Sequence, residues 1–331
     1  MKKTFRFLGL AFVATALCLA SCSNEDEKDN SANPPNVVDD DNGDDNGNGN
    51  DNDDPANDTL IVNVSQEPST RNVLIEELTG NLCGYCPLGH KAANEVVAAH
   101  PGKAFVINYH VPGGLANAYT TSAGAVYNSL FNVDNTGHYS IPAGTINRHD
   151  FNTDNGKLTL DRTNYAPAAN QILALNACAN VAAAASINKS TRELKVKVQV
   201  YFTANGEANE YKLYVALIQN NILGSQSGAS GNPAQVVGSQ YRHNEMFQRF
   251  ISHFRYSAAT HTYSAGDDIS SATQGSLFEK EYSYTIPATF RDADNNNSVT
   301  AVLEDLEVIV FVAEGEREVI NVCKADMSYR Q

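Results

Sequence analysis

Residues 73–87 read Val73-Leu74-Ile75-Glu76-Glu77-Leu78-Thr79-Gly80-Asn81-Leu82-Cys83-Gly84-Tyr85-Cys86-Pro87, and their order decides the fold of the first half. The apolar run from Val73 to Leu78 has the length of a buried strand. Thr79-Gly80-Asn81 breaks it, and Cys83 and Cys86 stand where a helix begins. Apolar positions at Leu88, Ala92, Val96 and Ala99 keep helical spacing, and Pro101-Gly102 ends that helix. A second buried strand is predicted at Ala104-Phe105-Val106-Ile107. Strand, Cys-x-x-Cys, helix, strand is the order of a βαβ redox unit.

That placement carries chemistry. Unpaired backbone N–H groups and the helix dipole stabilise a thiolate at a helix N-terminus. Cysteines so placed have pKa values lowered from about 8.5 to roughly 3.5–7.5. Cys83 is therefore the predicted nucleophile, and Cys86, nearly one turn on, the resolving thiol that would close the Cys83–Cys86 bond. Pro87 falls in the first turn, where a missing N–H costs little.

The stretch 71–110 resembles the thioredoxin superfamily, and Gly84-Tyr85 resembles the dipeptide between the cysteines of bacterial periplasmic disulfide isomerases. The resemblance implies two further site residues. Glu77, six residues before Cys83, matches the buried acid that relays a proton to the second cysteine. Ser140-Ile141-Pro142-Ala143-Gly144 resembles the cis-proline segment, which implies that Pro142 faces the disulfide and that the Ile141 backbone offers strand-like hydrogen bonds to a peptide. Simpler readings stay open at this point: a structural Cys83–Cys86 disulfide, a trans Pro142, and a solvent-facing Glu77 with Glu76 pointing the opposite way. His90 reads as a helix-surface residue. A zinc site lacks its second cysteine pair, and His90 with His110 makes a weak ligand set. No metal site and no cofactor are expected.

Beyond Ala177 the period changes from helical to twofold. Leu194, Val196, Val198, Val200 and Phe202 alternate with Lys195, Lys197, Gln199 and Tyr201, the signature of a half-buried strand. Further strands are predicted over 211–219, 277–286, 306–313 and 318–325, with a hairpin turn at Glu314-Gly315-Glu316. Short strands with polar connections argue for an antiparallel, immunoglobulin-like sandwich. The polar, Gly/Ser-rich stretch 221–268 fits that pattern poorly, and its centre, 241–254, reads as a helix or a binding loop. His243, His253 and His261 are too widely spaced for a metal site and read as surface residues. Cys178 and Cys323 stand at the two ends of this half and are candidates for a structural disulfide in an oxidising compartment.

The N-terminal residues read as an export signal. Lys2, Lys3 and Arg6 precede the apolar run Leu8 to Leu19, which is too short to span a bilayer. Leu19-Ala20-Ser21-Cys22 resembles the lipobox of bacterial lipoproteins, which implies acylation of Cys22 and anchoring in the membrane through that lipid alone. The acidic cluster Glu25-Asp26-Glu27 resembles the surface-export signal of Bacteroidetes lipoproteins. Residues 39–54 contain only Asp, Asn and Gly, a composition that cannot offset chain entropy by burial, so 23–65 is predicted to be a disordered tether. Asp44, Asn46, Asn48 and Gly49 sit at calcium-loop offsets, but Pro55 stands where such a loop needs a bidentate Glu. The formal charge of −15 is concentrated in that tether. Without a basic patch, nucleic acid is an unpromising partner.

The expected organisation is a signal peptide over 1–22, a tether over 23–65, an α/β thioredoxin-like domain over 66–176 and an all-β sandwich over 177–331. The lipobox, Glu77-Leu78-Thr79-Gly80 leading into the cysteine motif, the segment from Ile141-Pro142 to Asn147-Arg148 and the β-rich second half together resemble the twenty-eight-kilodalton outer-membrane protein family of Bacteroidetes lipoproteins. Two functions follow as expectations. One is a lipid-anchored outer-membrane thiol–disulfide oxidoreductase acting on thiols and disulfides of exported proteins. The other is a surface adhesin or receptor in which the redox fold is a scaffold.

Overall fold

A computed structural model describes residues 59–331 except 114–118, 153–155, 258, 261 and 291–297. The leader, Cys22, most of the tether with its calcium-like residues, and His261 lie outside the described residues. The principal elements are β1 (Val73–Thr79), α1 (Cys86–Ala99), β2 (Ala104–His110), α2 (Ser122–Phe131), β3 (Ala143–Ile146), α3 (Tyr165–Leu173), β4 (Ala179–Asn188), β5 (Glu193–Phe202), β6 (Tyr211–Gln219), β7 (Ile222–Gly224), β8 (Gln240–His243), β9 (Met246–Phe250), β10 (Leu277–Thr285), β11 (Leu306–Glu314), β12 (Val319–Lys324) and β13 (Asp326–Arg330). The described chain is mostly β, arranged in several sheets. No described helix is long and apolar enough to cross a membrane.

The largest sheet runs β12-β11-β6-β9-β2-β1-β3, with Asp267–Asp268 pairing β6. β1 and β2 are parallel from Val73↔Ala104 to Thr79↔His110, the arrangement a crossover through α1 gives. β3 lies antiparallel to β1 and pairs Glu77 with Gly144. β9 joins β2 through a single parallel pair, Met246↔Asn108, and lies antiparallel to β6 on its other side. The strands after Ala177 therefore do not make a closed sandwich of their own. β6, β9, β11 and β12 extend the sheet that β1–β3 begin, and the second sheet, β10-β5-β4-β13, packs on that extension.

Alternation along β6 explains how one strand serves two cores. Leu213, Val215 and Leu217 face the second sheet, whereas Tyr214, Ala216 and Ile218 join Leu74, Leu78, Ile107 and the α2 residues Tyr127 and Phe131. The other face of β1 and β2 packs Val73, Ile75 and Val106 on Ala93 and Val96 of α1 and on Ala169 and Ile172 of α3. β1 is thus covered on both faces, and every one of its residues is buried. That is why neither Glu76 nor Glu77 reaches solvent, contrary to the simple alternating reading.

Three other expectations change. The tether ends before residue 65: Val62 is buried, Val64 N donates to Gln199 Oε1 at 3.0 Å, and Ser65 O accepts from Asn180. The centre of 221–268 is neither helix nor free loop, because 240–243 and 246–250 are strands. Cys178 and Cys323 are free thiols. Cys178 approaches the Tyr211 hydroxyl, and Tyr211 pairs with Glu314; Cys323 stands opposite Val310, four residues away along that same strand.

Candidate functional site

The turn that connects β1 to α1 holds the cysteines. Cys83 N donates to Gly80 O, Cys86 N donates to Cys83 O, and Tyr85 is the N-cap residue. Cys86, not Cys83, is the first helical residue, with Pro87 beside it in the first turn. Cys83 precedes the helix and is disulfide-bonded to Cys86 with a Cα–Cα distance of 5.4 Å. Cys86 is fully buried and Cys83 is 2% exposed, whereas Tyr85 between them is 68% exposed.

Residues far apart in sequence converge on this turn. The Ile141–Pro142 peptide is cis, and Ile141 O lies 3.6 Å from Cys83 Sγ. Glu77 lies on the inner side of α1. A Cβ on Gly89 would overlap Glu77 Oε1 and stand 2.7 Å from Pro142 Cβ, so the missing side chain is what lets helix, carboxyl and proline meet. Gly89 is three residues past Cys86, on the same helix face. Burial pushes the Glu77 pKa well above the usual carboxylate range, and the Glu245 charge raises it further against a smaller opposing pull from Arg162. Neither carboxyl oxygen of Glu77 has a hydrogen-bond partner. Burial without a partner accordingly favours the neutral form of this carboxyl over its charged form. The four residues singled out from the sequence, Cys83, Cys86, Glu77 and Pro142, are thus brought together.

Beside them lies a polar cluster that hydropathy gives no reason to expect. His90 is buried, not on the helix surface, and shares hydrogen bonds with Thr79 Oγ1 at 2.8 Å and Tyr241 Oη at 2.9 Å. Tyr241 donates to Gln235 Oε1, which also accepts from Asn232 Nδ2 at 2.9 Å. The His243 ring packs 5.2 Å from the rings of both Tyr241 and Tyr119, and 5.5 Å from that of His110. Burial lowers the pKa of His90 to about 3 and of His243 to about 4, so both are neutral. His253, in contrast, is exposed and bonds Ser264. No group of His, Cys, Asp or Glu suited to a metal ion occurs among the described residues. One signal in the sequence does point to this region: Gly224, Gly228 and Gly231 punctuate 221–232, and a Cβ on them would crowd Tyr119, Gly84 and Leu88 respectively.

Comparison with known proteins bears on the second half and on the fold. A family model described as outer membrane protein Omp28 matches residues 131–331, which include Pro142 but begin after the cysteine pair. HBP35 of Porphyromonas gingivalis is similar in structure, with a TM-score of 0.55 at 17% identity over 78% of this chain and 76% of that one. A domain of the outer membrane lipoprotein Omp28 from the same organism aligns over 47% of this chain and 92% of its own, at 14% identity and a TM-score of 0.27. No curated protein matches by sequence.

Proposed function

The chain belongs to the outer membrane protein Omp28 family, and from that premise we propose that it is a lipid-anchored protein whose Cys83–Cys86 pair exchanges disulfides with exported proteins. Its place is the outer membrane; acylation of Cys22 is our reading of the anchor. We read 66–176 as a thioredoxin-like unit onto whose sheet the immunoglobulin-like strands of 177–331 are spliced. The observation that carries the catalytic reading is the approach of Ile141 O to Cys83 Sγ at 3.6 Å, which sets the attacked sulfur beside backbone that an extended substrate can pair with.

In the exchange, a substrate thiolate attacks Cys83 Sγ, the Cys83–Cys86 bond breaks, and Cys86 leaves as a thiolate. Protonated Glu77 beneath the first turn of α1 supplies the proton to Cys86. A second substrate thiolate then attacks the mixed disulfide, releasing oxidised substrate and the Cys83 thiolate, so two electrons pass from substrate to the cysteine pair. In reverse, Cys83 attacks a substrate disulfide, and Cys86, giving its proton to Glu77, resolves the mixed species.

The slight exposure of Cys83, and a family match that begins beyond the cysteines, favour the second reading, a surface adhesin or receptor built on a redox scaffold. The two readings part on one measurement, insulin reduction with dithiothreitol as the electron source. Turnover that Cys83→Ser abolishes and Glu77→Gln lowers about a hundredfold supports exchange. Wild-type turnover no faster than the uncatalysed rate would leave the scaffold reading.

A further inference from the structure

The segment Ser225–Gly231, some 140 residues downstream of the cysteines, lies directly on the redox turn. Gln226 Nε2 donates to Cys83 O at 3.0 Å and to Gly80 O at 3.2 Å, with a third contact to Ser227 O at 3.1 Å. Ser227 N donates to Asn81 O at 2.8 Å. Gly228 adopts φ +67°, and a Cβ there would overlap Gly84 O and stand 2.9 Å from Gly84 Cα. A Cβ on Gly231 would sit 3.2 Å from Leu88 Cδ2. Small residues are present where the two backbones touch, and the hydrogen bonds go to carbonyls of the cysteine turn itself.

Both ends of this segment are tied down. Gly224 ends β7, which pairs with β8, and a Cβ there would overlap the Tyr119 hydroxyl and stand 3.5 Å from His243 Nε2. At the other end Asn232 and Gln235 bond Tyr241, which bonds His90 on α1. Between these anchors the segment spans the turn, and the turn meets solvent through Leu82 and Tyr85 while Cys83 is covered.

We propose that Ser225–Gly231 is a strap that positions the redox turn and sets which partners exchange with it: small thiols reach Cys83 with the strap in place, and a protein-sized dithiol reaches it only when the strap lifts. Gln226 is the positioning residue, acting on the turn through Cys83 O and Gly80 O. The chemistry is the thiol exchange proposed above, with the incoming dithiol as reductant. The proposal rests on that reading for its biological use but not for its test.

The test is the second-order rate at which the Cys83–Cys86 disulfide of the full chain is reduced by dithiothreitol and, separately, by a reduced protein dithiol of about 12 kDa, a size fixed by roughly a hundred residues. Gln226→Met keeps the side chain's length and removes its donors. It is expected to speed reduction by the protein dithiol about tenfold, or roughly 1.4 kcal/mol, within what two neutral hydrogen bonds contribute, and to change the dithiothreitol rate less than about twofold. Gly228→Ala, which wedges a Cβ against Gly84 O, is expected to act in the same direction. Amide hydrogen exchange over 225–231 should rise in both variants while the melting temperature falls by no more than about 6 °C, which separates strap release from unfolding. Equal acceleration by both reductants, or no acceleration by the protein dithiol in either variant, overturns the proposal. Failure of the wild type to reduce insulin would count against the exchange function and leave the strap standing.

Discussion

Arg148 and Glu76 form a doubly bonded ion pair in the middle of the molecule, and breaking it tests how the two halves are joined. Arg148 Nε donates to Glu76 Oε2 at 2.5 Å and Nη2 to Oε1 at 2.7 Å, while Nη1 donates to Glu316 O at 3.1 Å. The guanidinium lies 4.8 Å from the Tyr127 ring, 5.0 Å from Tyr214, 5.1 Å from Phe311 and 5.2 Å from Phe131. Glu76 is also bonded by Tyr109 and Thr145. Neither partner is more than 2% exposed, so removing one strands a charge away from water. Glu76→Met leaves the guanidinium only a carbonyl and four ring faces, and is expected to cost about 3–5 kcal/mol. Arg148→Met is expected to cost slightly less, about 2–4 kcal/mol, because Glu76 keeps its two hydroxyl partners, Tyr109 and Thr145. In the double variant two apolar side chains fill the aromatic cage with no buried charge, so the costs should fall short of additivity by at least about 2 kcal/mol. Guanidinium unfolding followed by circular dichroism measures all four corners of the cycle, with melting temperatures expected to drop about 6–15 °C in the single variants. Single-variant costs below about 1 kcal/mol, or strict additivity in the double variant, would refute the claim that this pair is desolvated and coupled.

Two further outcomes follow from buried titratable groups. Burial raises the Glu245 pKa to about 7 from an ordinary 4.5, with the Glu307 charge adding to the effect. The stability carried by its protonated form is therefore complete below pH 4.5 and is lost as pH rises to 7. Glu245→Gln should remove that loss, gaining roughly 2 kcal/mol over wild type at pH 8 after allowance for partial solvent contact, and nothing at pH 4; parallel pH–stability curves for the two proteins would contradict it. Burial also raises the Cys178 thiol pKa and pushes that of Cys323 up to about 12. Iodoacetamide at pH 8 should leave both unmodified in the folded protein and alkylate both after denaturation without reductant, as read by intact mass. A Cys178–Cys323 disulfide would show instead as no alkylation until reductant is added.

What sequence reveals depends on whether burial leaves a pattern. β5 was legible because one face is buried and the other is not, so Leu194 to Phe202 alternate with lysines and polar residues. β1 was legible as an apolar run of strand length, but burial on both faces hid the roles of Glu76 and Glu77, since no periodicity distinguishes an acid paired with Arg148 from one kept neutral beneath α1. The cysteine site was legible because its chemistry fixes spacing over a few residues. The stretch 221–250 was not, because the buried members of its strand 240–243 are Tyr241 and His243, whose ring partners His90, His110 and Tyr119 stand more than a hundred residues away. Hydropathy discards such residues, yet they form the seam. Gln226 on the cysteine turn, Tyr241 on His90, Asn321 on Asn72 and Arg148 on Glu316 each cross between 66–176 and 177–331. A chain cut at residue 177 would lose all four and leave the β2 edge, now covered by β9, open to pairing with other chains. The second half therefore supports the cysteine turn in two ways, extending the sheet that carries Glu77 and supplying the segment that bonds Cys83 O. Any activity measured on residues 66–176 alone would report on a differently exposed site.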